Sequence, residues 1–120
     1  MNFERLISIR DDVDNFVLEE TQKLALAIDR DVVRETPVDT SAARGSWLGS
    51  VGTPDDTDVT NKSPAAAIAQ VQAAVNTARP YQLIYIQNTK PYINRLNAGW
   101  SLQAPSMYID NIIVRYVNDA

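Results

Sequence analysis

Apolar positions along the first third of the chain recur at helical spacing. Phe3, Leu6, Val13, Phe16, Val17, Leu24, Ile28 and Val32 follow one another at steps of three, four and seven, with charged residues between them and no Gly or Pro from 3 to 35. That pattern predicts one amphipathic helix. Unbroken, it would be about 50 Å long at ~1.5 Å per residue, longer than the diameter of an ordinary globule of this size. It must therefore either break near Arg10–Asp14 or project and pack on a neighbour. Thr36-Pro37 ends it, because the residue before proline disfavours helical geometry.

The period then changes. Pro37 to Gly45 reads as a structured turn in which Asp39 can accept from nearby backbone amides. Ser46–Gly52 alternates as a strand does, with Trp47 and Val51 on one face and Leu48 and Ser50 on the other. Residues 53–63 are polar, carry Pro54 and three aspartates, and predict a mobile loop. Pro64 opens an Ala-rich helix to Ala78, whose small side chains allow another element close. Gln82–Gln87 predicts a second strand, and Pro91 a short helix carrying Tyr92, Arg95 and Leu96. A final helix over about Ser106–Val117 has Met107, Ile109, Ile112, Ile113 and Tyr116 as its apolar set. The sum is a single α+β domain over residues 1–120: a long N-terminal helix packed on a small antiparallel sheet with two or three further helices.

Composition narrows the chemistry. The chain of 120 residues has no Cys and no His. Disulfides, thiolate metal sites, imidazole ligands and the commonest general base are thereby removed. Met1–Arg5 lacks the apolar core of a leader, and no run reaches the length of a membrane span, so the expectation is a soluble protein with no membrane partner. Asp11, Asp12 and Asp14 fall within one helical turn but point in different directions, which is the pattern of a solvated acidic face. Asp55, Asp56 and Asp58 lack the glycine and distal glutamate of a calcium loop. No motif activates a serine through Lys23, Lys62 or Lys90. Asp110 and Asp119 are the second half's whole carboxylate supply, too few for a converging pair. Gly45, Gly49, Gly52 and Gly99 form no phosphate loop. The expectation is no enzyme, no catalytic residue, no metal and no cofactor.

Net charge is −4, unevenly placed. Residues 1–60 carry 6 Lys/Arg against 13 Asp/Glu, giving −7, and residues 61–120 carry 5 against 2, giving +3. The basic residues of the second half are dispersed, which argues against direct nucleic-acid readout. Either the long helix is simply a solvated acidic rod, or acidic and basic surfaces meet between subunits.

The richest passage is Tyr92 to Pro105. It sets two aromatics, Gly99 and five polar side chains between apolar segments and holds no His, Cys, Asp or Glu. This composition suits contact rather than catalysis. Trp100 is an interface anchor or packs on its own domain, since Trp and Tyr dominate interface energetics. Arg95 is a contact or a solvated charge. Trp47 is expected to plug the core beneath the long helix. Arg44 is expected to pair with Asp39 or to cap carbonyls at a helix end.

Two segments together carry a resemblance. Thr36-Pro37-Val38-Asp39-Thr40, followed by Arg44 and the strand opening at Trp47, resembles the first signature of the neck and tail-completion proteins of long-tailed bacteriophages. Pro91-Tyr92 through Arg95-Leu96, then Gly99-Trp100-Ser101 and Gln103-Ala104-Pro105, resembles the second. Both occur in the family's order, across a variable middle. The chain departs from the pattern at Ser41 and Ser106, where the family has glycine, and at Asn97, where it often has glutamate.

The resemblance implies a non-enzymatic virion protein, made in the bacterial host cytoplasm, that forms a ring at the head–tail junction, six-fold by analogy. The implied partners are further copies of itself, a head-side connector or stopper, and a tail terminator or tail tube, with DNA passing through the lumen without sequence recognition. Arg95, Gly99, Trp100, Gln103 and Arg115 would serve the subunit or partner interface, and Pro37, Asp39, Arg44 and Trp47 the structural turn. A tail-terminator ring subunit is the near alternative. A small protein-binding module that docks a partner through the Trp100 loop is the alternative from another class.

Overall fold

The computed structural model describes residues 3–36, 44–57, 63–90, 93, 97–99 and 107–118. The order is α1 (Phe3–Glu35), β1 (Trp47–Val51), α2 (Pro64–Val75), β2 (Ile84–Asn88) and α3 (Tyr108–Asn118), an α+β fold. Helix α1 does not break at Arg10–Asp14. It runs unbroken for 33 residues, and the molecule measures 61 × 29 × 20 Å. Residues 4–13 are exposed on every side of the helix, so the N-terminal part of the rod projects from the body.

Strands β1 and β2 pair antiparallel, with Trp47 opposite Asn88 and Val51 opposite Ile84. The second strand lies slightly later in the chain than the alternation predicted. Helix α2 covers the sheet and presents Ala67, Val71 and Val75, all fully buried and four residues apart. Ser63 caps it by accepting from the Ala66 amide, with Pro64 in the first turn, where proline's missing donor costs nothing. The contact between α2 and β1 is tight at Gly49. A Cβ there would stand 2.9 Å from Val71 Cγ1, closer than packed carbons tolerate. Gln70 also reaches β1. Its Oε1 accepts from the Gly49 amide at 2.9 Å and its Nε2 donates to the Gly49 carbonyl at 3.0 Å. The side-chain amide thus occupies backbone groups that would otherwise be an open strand edge.

Two apolar clusters form the core. One joins Val32 and Val33 of α1 to Trp47, Tyr108 and Ile112, and the other joins Ala25 to Val71 and Val75. Trp47 does plug the core beneath α1, but its neighbours on that helix are Val32, Val33 and the half-buried Ile28. Val13, Phe16 and Leu24, expected to share that core, are 51%, 63% and 45% exposed. The cause is helical rotation. At roughly 100° per residue, Ala25, Asp29, Val32, Val33 and Thr36 share one side, Ile9, Val13 and Phe16 lie nearly opposite, and Leu6 and Leu24 fall between the two. The periodic stripe in the sequence is therefore two stripes. In α3 the buried residues are Tyr108 and Ile112, whereas Ile113, and Met107 just before the helix, are half-exposed. Tyr108 was absent from the apolar set expected for this helix.

Candidate interface

Thr36 and Trp47, at the two described ends of the first signature, meet at a buried hydroxyl. Thr36 Oγ1, at the end of α1, accepts from Trp47 Nε1 at 2.9 Å and lies 3.2 Å from the Tyr108 hydroxyl. It also donates to the Val32 carbonyl. Its single proton is thereby used, so the Tyr108 hydroxyl donates to it. Three elements meet at one threonine, and none of the three polar atoms is left unpaired. Burial pushes the Tyr108 pKa up, an effect that the bond to Thr36 partly offsets. Arg44 closes the end of α1, with Nε donating to the Val33 carbonyl at 3.0 Å and Nη2 to the Arg34 carbonyl. Of the two roles foreseen for Arg44, capping carbonyls is the one observed. A guanidinium there satisfies C-terminal groups and opposes the negative end of the helix dipole. Pro37 and Asp39 lie outside the described residues.

The second signature is described only in part, because Arg95, Trp100 and Gln103 lie outside the described residues. Gly99 is exposed and has φ +94°, a conformation that a β-carbon strains. Beside it, Asn97 ties the loop to the start of α3. Its Oδ1 accepts from the Ile109 amide at 2.9 Å and its Nδ2 donates to Asp110 at 3.0 Å. Asn97 therefore acts as a helix-start ligand. Arg115 is held within its own chain, 3.2 Å from Asp31 and 3.6 Å from Glu35, and the Tyr116 hydroxyl also donates to Asp31.

The loop after β1 is anchored where it is described. Gln87 Oε1 accepts from the Asp55 amide at 2.8 Å, and Gln87 Nε2 donates to Asp56 at 3.1 Å. Asp55 Oδ1 accepts from the Thr57 amide and hydroxyl, which holds its carboxyl below the usual carboxylate range. Residues 53–57 thus form an Asx turn fastened to β2. Among the described residues no three Asp or Glu carboxylates gather as a metal site would need, and no helix is long and apolar enough to cross a membrane.

Two features escaped the sequence reading. One is Asp29, fully buried on the core side of α1, with neither carboxylate oxygen hydrogen-bonded. Burial pushes its pKa up to about 7, against a smaller opposing pull from Arg30. The signal was its register: Asp29 is four residues after Ala25 and four before Val33. The other is a groove of about 250 Å3 between α1 and the approach to β2, walled by Leu24, Ala25, Ile28, Leu83, Ile84 and Ile86. Its mouth is flanked by exposed apolar residues, Leu83 at 66% and Leu24 at 45%.

Comparison of the chain with family models, curated proteins and solved structures finds no match. The geometry of the chain itself is therefore what the functional reading rests on, together with the two signatures.

Proposed function

We propose that the chain is a structural ring subunit of the head–tail junction of a long-tailed bacteriophage, joining the head-side connector or stopper to the tail and surrounding the DNA passage. The observation that carries the reading is a projecting helix with an uncovered apolar face in a chain bearing both signatures in order. A monomeric module has no use for such a rod. A ring built head to tail does, because each subunit must present one surface to the neighbour ahead and a different one to the neighbour behind. Acidic character also suits a wall that DNA slides past, since it avoids binding phosphate. The chain would act by shape and contact, with no catalysis and no cofactor.

Phage particles depleted of this chain are expected to accumulate as separate filled heads and free tails. Trp100→Ala, if that side chain docks a neighbour, should give the same phenotype from a folded subunit. Imaging of the intact virion should place the chain as a ring at the junction. Normal infectious particles assembled without the chain would end this reading.

A further inference from the structure

We propose that the groove between α1 and β2 receives the projecting N-terminal part of α1 from a second copy of this chain. The stripe that enters is Leu6, Ile9, Val13 and Phe16, exposed at 49%, 46%, 51% and 63%. This contact rests on the ring reading and gives it a specific joint.

Three observations lead there. First, no described residue of the same chain covers the stripe. It lies on the side of α1 opposite the core, and α1 is one continuous helix that cannot fold back on the body. The body reaches up the rod as far as Asp14, where the Tyr81 hydroxyl donates to Oδ1 at 3.0 Å. Beyond that point Leu6, Ile9 and Val13 are left exposed. Second, the receiving surface is in the same chain and is apolar in the same way. A helix face with residues at three- and four-residue steps is the natural filler of a hydrophobic groove. An apolar patch of this kind, left uncovered, marks an interaction site.

Third, the charges match. Residues 4–20 carry Glu4, Asp11, Asp12, Asp14, Glu19 and Glu20 against Arg5 and Arg10, a net of −4. Residues 63–90, which supply the β2 side of the groove, carry Arg79 and Lys90 and no Asp or Glu. Like rods would repel side by side, whereas a rod laid on the 63–90 surface meets opposite charge. The acidic-to-basic pairing between subunits is thereby placed at the 63–90 surface. Arg115, already engaged by Asp31 and Glu35, is not needed for it. Rod and groove are different surfaces, so the contact is heterologous and can propagate around a ring.

The absence of cysteine makes the test clean. Val13→Cys and Leu83→Cys both replace exposed side chains, so neither should unfold the subunit. With a short bis-maleimide reagent, at protein concentrations near 1 mM where weak contacts are populated, the double variant should give a ladder of cross-linked multimers. An equimolar mixture of the two single variants should stop at dimers, and either single variant alone should stay monomeric. Phe16→Glu added to the double variant should remove the ladder. The contact is overturned if the mixture of the two single variants gives no dimer, the result expected if a foreign partner covers the stripe. It is also overturned if Val13→Cys alone dimerises, which would mean that the rods pair with each other, or if the ladder survives Phe16→Glu. Failure of the ring reading looks different: the ladder forms, yet the chain is missing from the head–tail junction of the virion.

Discussion

The two ends of α1 obey the same spacing and meet opposite fates. From Ala25 to Thr36 the helix is clamped between α2 and α3, and Val32, Val33, Asp29 and Thr36 are sealed from water. From Glu4 to Val13 every residue is exposed, and Leu6, Ile7 and Ile9 stand in solvent. Hydrophobic burial rewards area removed from water, whichever molecule removes it. The clamped end has its stabilisation from within the subunit. The free end has none until another surface arrives, so the same residue types hold the fold at one end and are available for association at the other.

The largest effect should come from the clamped side. Trp47→Ala removes a buried ring and leaves Thr36 Oγ1 without one donor, and should cost roughly 3–5 kcal/mol in denaturant unfolding. A loss under about 1 kcal/mol would mean that the indole is not part of the clamp.

Next is Asp29. Its folded pKa of about 7 stands above the ordinary aspartate value of 3.8, so the folded chain holds its proton more firmly than the unfolded one. The stability contributed by that proton is complete below about pH 4, declines as pH rises toward 7, and is gone above it. Wild-type stability should therefore drop by a few kcal/mol, at most about 4, over this window. Asp29→Asn should flatten the profile. The exposed Asp55, shifted downward by Thr57, acts in the opposite sense and loses its contribution as pH falls through its lowered folded pKa. Parallel pH profiles for wild type and Asp29→Asn would show that Asp29 is solvated.

Arg44→Ala exposes two α1 carbonyls and should cost about 1–2 kcal/mol. Arg44→Lys should recover only part of this, because an ammonium lacks the planar fork that reaches both oxygens. Equal stability of the Lys variant and wild type would argue that charge alone matters there.

Smallest is the free end. Phe16→Ser should change subunit stability by less than about 0.5 kcal/mol, while weakening self-association measured by light scattering at high concentration. A large loss of stability would show that the rod is covered within its own subunit and would erase the contrast between the two ends. Arg115→Glu should likewise be mild for the fold, since partly exposed ion pairs contribute about 0–1 kcal/mol.

Local chemistry was legible in advance. The helix over 3–35, though not whether it breaks at Arg10–Asp14, its end at Glu35, the Ser63-Pro64 start of α2, the strand at Trp47 and the turn at Gly99 each follow from neighbours within a few positions. So did the α+β class. The candidate interface was less legible. Gly99 and Arg44 were singled out for the conformation and the carbonyl capping they show. Arg115 proved to be bound within its own subunit, and the groove walls come from segments nearly sixty residues apart.

Spacing fixes the angle between side chains on a helix but not which side the rest of the chain will cover. That choice was made by Tyr108 and Ile112 arriving on one face of α1 and Val71 and Val75 beside them. It turned Asp29 inward and Phe16 outward. It also let Gly49 and Gln70, unremarkable in sequence, set the closeness of α2 to the sheet. The sequence by itself determined the kind and order of the main elements and their limits to within a few residues, because those depend on short-range backbone geometry. Only the tertiary structure decided which faces are core and which remain open to another chain, because burial is a property of residues brought together from far apart.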